Sequence, residues 1–255
     1  MRWRRKAKAR SEDATEEGEL RALVYRGTGR SDRLCAEAVA DVLQRSRWRF
    51  SVDFVGGGAD KPLTEAELAC ADIYVQPGGG TLRPAYRRLR RNREMIRDYV
   101  FGGGRFLGIC LGGYLAGATP GFGLLPGDAD RYIDVRESVV DHDGEAVVPL
   151  FWRGQYREAY IQDPPHFVLE EDHQAIVLAR YTNGAIAAVV TPFGRGTVGV
   201  VGFHPEAPDH WLDGLCEDPT TAANGDLAWD LVDTVMRDPF RQRSAALSGS
   251  GSSGR

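Results

Sequence analysis

Cysteine is scarce in this sequence: four occur among 255 residues, and no two of them form a C-x-x-C pair. The spacing gives no sign of a zinc knuckle or of a secreted disulfide framework, and it favours a reducing, cytoplasmic location. Long apolar runs are also missing. The sequence therefore predicts neither a signal peptide nor a membrane-spanning segment, and we expect no membrane partner.

An excess of positive charge is missing as well. Lys and Arg together number 32 against 36 Asp and Glu, which gives a formal net charge of −4. Because nucleic-acid-binding surfaces are usually basic, we expect no nucleic-acid partner. An arginine-rich run at residues 87–93 fits the solvated face of a helix. Glycine, by contrast, is plentiful at 31 residues, which predicts many tight turns.

Composition divides the chain into three parts. Residues 1–19 change from basic to acidic without apolar periodicity, and residues 241–255 are rich in Ser and Gly. Such segments bury too little apolar surface to offset the entropy lost on ordering, so we predict that both tails are disordered. We expect residues 20–240 to form one domain.

The first half of that domain has the pattern of an α/β fold. Short apolar runs alternate with amphipathic stretches, which is typical of a doubly wound, mostly parallel sheet with helices on both faces. The runs predict strands over 20–25, 50–55, 73–76 and 105–109, and the stretches predict helices over 32–45 and 84–100.

Farther along the chain the pattern changes to that of an antiparallel hairpin extension. Strand-like runs at 175–181 and 185–191 are joined through Asn183-Gly184, a common two-residue hairpin turn. A further strand is predicted over 197–203, and a closing helix over 226–236.

The segment GICLGG at residues 108–113 lies where a predicted strand turns into a helix. It has the pattern of a nucleophile elbow, with Cys110 in the position that Ser usually takes. A thiol at a helix N-terminus feels the positive end of the helix dipole, which favours the reactive thiolate. The alternative is a buried structural cysteine in a glycine-rich turn.

A second motif, His204-Pro205-Glu206, ends the last predicted strand. Proline keeps the residue before it extended, and side chains two positions apart in an extended segment point to the same side. His204 could then take the proton of a nearby thiol while Glu206 orients the ring. The alternative is a loop whose two side chains are both solvated.

A third motif, QPGGG at residues 76–80, follows another predicted strand. A glycine-rich loop in this position can direct a backbone N–H at an oxyanion and so complement the N–H of Leu111. The alternative is a flexible turn.

Two other patterns carry less weight. Gly27-Thr28-Gly29 resembles the start of a dinucleotide-binding loop, but Asp32 stands where the third glycine would be needed. His204, Glu206 and His210 could in principle bind a metal, but the prolines among them break the helical spacing that metal-binding helices use. We predict no metal and no cofactor.

Aromatic residues are dense between Phe151 and Phe167. This density favours a contribution to the hydrophobic core, and the alternative is that some of these rings line a pocket above Cys110.

The three motifs, in the chain order QPGGG, GICLGG and His204-Pro205-Glu206, resemble those of class I glutamine amidotransferases, which carry a Cys-His-Glu triad on a flavodoxin-like fold. YRGTG at residues 25–29, VQPGGG at 75–80 and GICLGGY at 108–114 are similar to the amidotransferase-like domain at the N-terminus of some biotin protein ligases. The similarity extends over about residues 20–206 and is weak over 139–172.

The resemblance implies cleavage of a carboxamide C–N bond in a small-molecule amide, with an ammonia-accepting synthetase or ligase as partner. It implies Cys110 as nucleophile, His204 and Glu206 as its proton-transfer partners, and an oxyanion hole formed by the N–H groups of Gly79 and Leu111. The substrate-binding residues that it implies are Gly78, Gly80 and Tyr114.

One position departs from the family pattern, because Tyr114 stands where glutamine amidotransferases usually have Gln. The substrate can therefore be glutamine, another small-molecule amide or a peptide, with Tyr114 reshaping the pocket. A non-catalytic binding or regulatory module that keeps the fold is the alternative from a different class.

Overall fold

The computed structural model of the chain describes residues 19–171, 173–216, 222 and 224–240. The tails predicted at 1–19 and 241–255 lie outside the described residues, apart from Glu19.

Five parallel strands form one half of a large mixed sheet. Their order across the sheet is β2-β1-β3-β4-β11, and every neighbouring pair among them is parallel. The strands are β1 (Arg21–Tyr25), β2 (Ser51–Val55), β3 (Ile73–Gln76), β4 (Arg105–Ile109) and β11 (Gly196–Val201). All five lie close to the predicted positions, so the α/β class is confirmed.

Six helices accompany these strands: α1 (Arg30–Arg45), α2 (Glu65–Ala69), α3 (Leu82–Leu89), α4 (Arg93–Phe101), α5 (Leu111–Ala116) and α6 (Gly225–Arg237). Side chains alternate between two buried clusters along each strand, as a strand's period of two requires. In β1, Ala22 and Val24 pack with residues of α1 and α6, whereas Leu23 packs with residues of α2, α4 and α5.

The prediction of one helix over 84–100 is wrong, because a turn at residues 90–92 divides it into α3 and α4. The backbone N–H of Asn92 donates to the carbonyl of Leu89 (2.8 Å). Its side-chain amide lies 3.5 Å from the carbonyl of Leu63. The local turn and the contact with Leu63 override the helical periodicity.

The other half of the sheet is antiparallel and larger than the predicted hairpin extension. The hairpin itself is confirmed: β9 (Ile176–Tyr181) and β10 (Ile186–Phe193) pair with each other, and β10 also pairs with β11. Four further strands belong to it: β5 (Gly127–Arg131), β6 (Glu145–Trp152), β7 (Gln155–Gln162) and β8 (Pro165–Leu169).

Within the described part of the chain, no helix combines the length and the apolar character that crossing a membrane requires.

Candidate active site

The three sequence motifs meet at one edge of the parallel sheet. Cys110 directly follows β4, Gly78 lies two residues after β3, and His204 lies three residues after β11. Because β3, β4 and β11 are adjacent and parallel, their carboxyl ends lie side by side. Ligands of open α/β sheets bind at this edge.

The backbone at Cys110 turns sharply between β4 and α5. Its φ of 49° and ψ of −105° lie outside the regions that most residues adopt. The turn is held from both sides, since the N–H of Cys110 donates to the carbonyl of Val201 at 2.9 Å. A Cβ placed on Gly112 would lie 1.8 Å from the carbonyl oxygen of Gln76, so only glycine fits there. This conformation places Cys110 at the N-terminus of α5.

His204 and Glu206 form a buried pair. Nδ1 of His204 lies 2.9 Å from Oε1 of Glu206, and both side chains are almost completely enclosed. The backbone N–H of His204 donates to the carbonyl of Tyr160 at 2.9 Å, which fixes the start of the motif. Within the described residues, Oε2 of Glu206 is buried without a hydrogen-bond partner.

The electrostatic surroundings of His204 favour its protonated form. Burial alone lowers the pKa of the imidazole, but the negative charges of Glu206 and Cys110, together with hydrogen bonds to both, raise that pKa to about 10. The imidazole therefore interacts with Glu206 and with Cys110, and both interactions favour its charged form.

Gly78 lies between the ring and the cysteine. A Cβ placed on it would be 2.6 Å from Cε1 of His204 and 3.5 Å from the Cβ of Cys110. The same Cβ would lie 3.4 Å from Sγ of Cys35, so a side chain at Gly78 would collide with the ring and crowd both cysteines.

The other predicted site residues lie in the loop after β3 and on α5. Gly79 has a φ of +98° and packs against the backbone of Asp32 at the start of α1. Gly80, with a φ of +73°, faces the side chain of Asp32. Leu111 is the first residue of α5. Tyr114 is buried one turn later, and its hydroxyl donates to the carbonyl of Asp163 at 3.2 Å.

The end of β7, which the sequence motifs did not identify, contacts the cysteine. Sγ of Cys110 donates to the carbonyl of Gln162, 3.5 Å away, at the end of β7. The next residue, Asp163, has a φ of +45° and an ion pair of 2.9 Å with Arg131. No motif marks these residues, because the strand that carries them belongs to the antiparallel half, where the resemblance is weak.

Aromatic rings form a wall around His204. The rings of Tyr160 and Trp211 lie 5.6 and 5.8 Å from the imidazole, measured between ring centroids. Of the aromatic residues between Phe151 and Phe167, Trp152, Tyr160 and Phe167 are buried, whereas Phe151 and Tyr156 are exposed. The core interpretation is therefore right for three rings, and Tyr160 also contacts the site.

A cleft of about 480 Å³ borders Glu206 between α1, the loop 205–211 and the start of α6. Cys110 is not among the residues that line it, so this cleft does not open onto the sulfur. In the described part of the chain, no group of three or more His, Cys, Asp or Glu side chains is arranged to hold a metal ion.

Comparison with known families matches residues 20–129 to the family described as "Biotin-protein ligase, N terminal". The chain is also similar to the imidazole glycerol phosphate synthase subunit HisH of two organisms. It is 28% identical to that of Acaryochloris marina over 163 residues, which cover 58% of this chain and 74% of the relative. It is 29% identical to that of Rhodopirellula baltica over 172 residues, which cover 61% and 82%.

Two solved structures share the fold. Cytoplasmic protein STM1381 of Salmonella typhimurium LT2 matches with a TM-score of 0.51 and 16% identity, over 84% of this chain and 99% of that one. A β-galactosidase of Bacillus circulans sp. alkalophilus matches with a TM-score of 0.51 and 13% identity, over 86% of this chain and 31% of that one. The matched family and the HisH relatives agree with the three motifs at the sheet edge, and they support a similarity of this chain to the class I glutamine amidotransferase-like family.

Proposed function

We propose that the chain is an amide hydrolase or amidotransferase-like enzyme that cleaves a carboxamide C–N bond with a Cys110-His204-Glu206 triad. The observation that carries this proposal is the buried His204–Glu206 pair, with an N–O distance of 2.9 Å, beside a cysteine in a strained strand-to-helix turn. A histidine between a thiol and a carboxylate is the arrangement that nucleophilic acyl transfer needs.

The first half-reaction forms a thioester. The proton of the Cys110 thiol passes to His204, the sulfur attacks the carboxamide carbon, and the oxygen of the tetrahedral intermediate is held by the N–H groups of Gly79 and Leu111. His204 donates a proton to the nitrogen as the C–N bond breaks, and ammonia leaves. Gly78, Gly80 and Tyr114 border the substrate.

Hydrolysis completes the cycle. His204, now neutral, takes a proton from a water molecule as the oxygen of that water attacks the thioester carbon. The C–S bond breaks, the carboxylic acid is released and the sulfur returns to its starting state. Glu206 stabilises the imidazolium in both halves of the cycle.

The strand order in the parallel half supports assigning a flavodoxin-like, doubly wound fold. The order β2-β1-β3-β4-β11 corresponds to the order 2-1-3-4-5 of that fold, with β11 as the fifth parallel strand. All four cysteines are unpaired, which supports a reducing, cytoplasmic location.

The HisH relatives are named as subunits of a synthase, and this favours a partner that accepts ammonia. We therefore include a synthetase or ligase as the partner of this chain, with a small-molecule amide as substrate.

Ammonia release tests the proposal. The protein is incubated with L-glutamine, L-asparagine and a panel of simple primary amides, and the ammonia formed is measured for wild type, Cys110→Ala and Cys70→Ala. We expect release by wild type and by Cys70→Ala, because Cys70 is an exposed cysteine outside the site. Release by Cys110→Ala at the wild-type rate would reject Cys110 as the nucleophile.

Cys110 is buried, and this favours a second candidate, a non-catalytic module that binds a ligand in the retained pocket. In that case none of the amides releases ammonia. Cys110 is then alkylated no faster than the other cysteines in the folded protein.

A further inference from the structure

The peptide unit between Gln162 and Asp163 contacts the sulfur of Cys110. Cys110 is 7% exposed, whereas Gln162, whose carbonyl receives the thiol, is exposed. Gln162 is the last residue of β7, and a turn follows it. The orientation of this peptide therefore decides which backbone group faces the sulfur.

The contact between Cys110 and Gln162 points a carbonyl oxygen at the sulfur, at a distance of 3.5 Å. A carbonyl oxygen accepts hydrogen bonds and carries partial negative charge, so it is a good partner for S–H and a poor one for a thiolate. In this arrangement the Gln162–Asp163 peptide does not stabilise the form of the sulfur that attacks.

The backbone conformation of Asp163 is unfavourable when the Gln162 carbonyl faces the sulfur. Its φ of +45° is unfavourable for a residue other than glycine, although Asp tolerates it better than most. Asp163 also precedes Pro164, and residues before proline prefer extended conformations with negative φ. Two local preferences therefore favour a different orientation of this peptide.

Rotation of the Gln162–Asp163 peptide plane satisfies both preferences. A half-turn changes ψ of Gln162 and φ of Asp163 together and leaves the path of the chain nearly unchanged. It gives Asp163 a negative φ, and it replaces the carbonyl facing the sulfur with the N–H of Asp163. An N–H stabilises a thiolate, so the same movement favours the form of the sulfur that attacks.

The surrounding contacts confine the movement to that one peptide. The next three carbonyls, of Asp163, Pro164 and Pro165, accept hydrogen bonds of 3.2, 2.9 and 3.1 Å. Their donors are the hydroxyl of Tyr114, the backbone N–H of Tyr132 and the hydroxyl of Tyr181. The ion pair of 2.9 Å between Arg131 and Asp163 holds the side chain and keeps the turn closed.

We propose that the Gln162–Asp163 peptide is a two-position cap, closed by the Arg131–Asp163 ion pair, that determines whether the sulfur of Cys110 faces a carbonyl oxygen or an activating N–H group. The inference rests on the proposed function of Cys110 and adds a means of regulating it. Arg131 and Asp163 act through the turn and are positioning residues.

Two substitutions of Asp163 separate the cap from general loosening of the turn. Asp163→Gly and Asp163→Ala both remove the carboxylate that pairs with Arg131, so they differ mainly in the φ that they tolerate. Glycine accepts the left-handed conformation of the closed cap, whereas alanine disfavours it. The readout is the rate at which iodoacetamide alkylates Cys110, measured by peptide mass spectrometry with the exposed Cys70 as internal reference.

We expect Cys110 to react about tenfold faster in Asp163→Ala than in Asp163→Gly. General loosening predicts the opposite order, because glycine is the more flexible residue. Equal rates, or a faster reaction in Asp163→Gly, would overturn the proposal. Thermal unfolding verifies that both variants fold.

If either variant does not fold, Arg131→Leu serves in its place, because it removes the ion pair and keeps Asp163. Alkylation of Cys110 must then be faster than in wild type, and an unchanged rate would overturn the cap. Alkylation does not require turnover. If Asp163→Ala and Asp163→Gly differ in alkylation rate but wild type releases no ammonia, the proposed function is rejected and the cap is retained. If wild type releases ammonia but the two variants react at equal rates, the cap is rejected and the proposed function is retained.

Discussion

Gly78 and His204 are in direct contact: a Cβ on Gly78 would lie 2.6 Å from Cε1 of the imidazole. The ring is buried and bonded to Glu206 on its other side, so it has little room to move away. The glycine of this loop is therefore a requirement of the site as well as of the turn.

Replacing Gly78 with alanine should displace His204 and lower ammonia release by about 100-fold, because small displacements of a reacting group are costly. Overpacking should lower the free energy of unfolding by about 1–3 kcal/mol. The measurements are steady-state kinetics and urea denaturation. Gly225→Ala is the control, since a Cβ at Gly225 meets no atom within 4 Å. Equal activity of the two variants would contradict the contact.

Replacing Glu206 with Gln should lower the pKa of His204, because the carboxylate is the leading influence that raises it. The midpoint is measured by following the imidazole nitrogens in ¹⁵N-labelled protein by NMR across the alkaline range. Wild type should titrate near pH 10, and the variant at clearly lower pH. A midpoint that is unchanged or higher in the variant would show that the Glu206 charge does not act on the ring.

The same shift predicts how stability depends on pH. The pKa of His204 is raised from 6.5 in the unfolded chain to about 10 in the folded protein, so the stability that it contributes is fully present below pH 6.5. That contribution is lost as the pH rises toward 10. Urea denaturation at pH 6 and pH 9.5 should show a larger loss of unfolding free energy in wild type than in Glu206→Gln. Equal losses would contradict the raised pKa.

The sequence predicted the parallel half of the fold and the three motifs of the site because local signals mark them. Strand runs, a glycine-flanked cysteine and a proline after His204 can each be recognised from neighbouring residues. The cap at Gln162 could not be predicted in this way, since its position depends on pairing of β7 with β6, a contact set by the tertiary fold. The division into α3 and α4 was missed for the same reason, because Asn92 finds its partner at Leu63.

Removing the ring of Trp211 should leave an unfilled space beside the imidazole of His204. Its centroid lies 5.8 Å from that of His204 and 5.6 Å from that of Tyr160, so Trp211→Ala leaves a gap beside the imidazole. We expect the free energy of unfolding to fall by about 2 kcal/mol, less than for a fully buried tryptophan, because Trp211 is half-buried. Trp211→Phe, which keeps an aromatic ring, should lose less. Equal destabilisation of the two variants in urea denaturation would mean that the ring contact does not contribute.

Cys35 should be unreactive although it lies in the same region as Cys110. Burial raises the pKa of its thiol, and the negative charges of Glu206 and Cys110 add to this effect. At neutral pH we expect iodoacetamide to alkylate Cys35 at least about 100-fold more slowly than the exposed Cys70. In urea the two should react at similar rates. Comparable rates in the folded protein would contradict the burial of Cys35.

The most direct test of the triad is to trap its covalent intermediate. The protein is mixed with L-glutamine, L-asparagine and the panel of primary amides, quenched in acid at short times, digested and analysed by mass spectrometry. With at least one of these amides we predict an acyl group in thioester linkage to Cys110 and to no other cysteine, and its loss in His204→Asn. Ammonia release that proceeds without any acyl group on Cys110, and that continues in His204→Asn, would contradict the account.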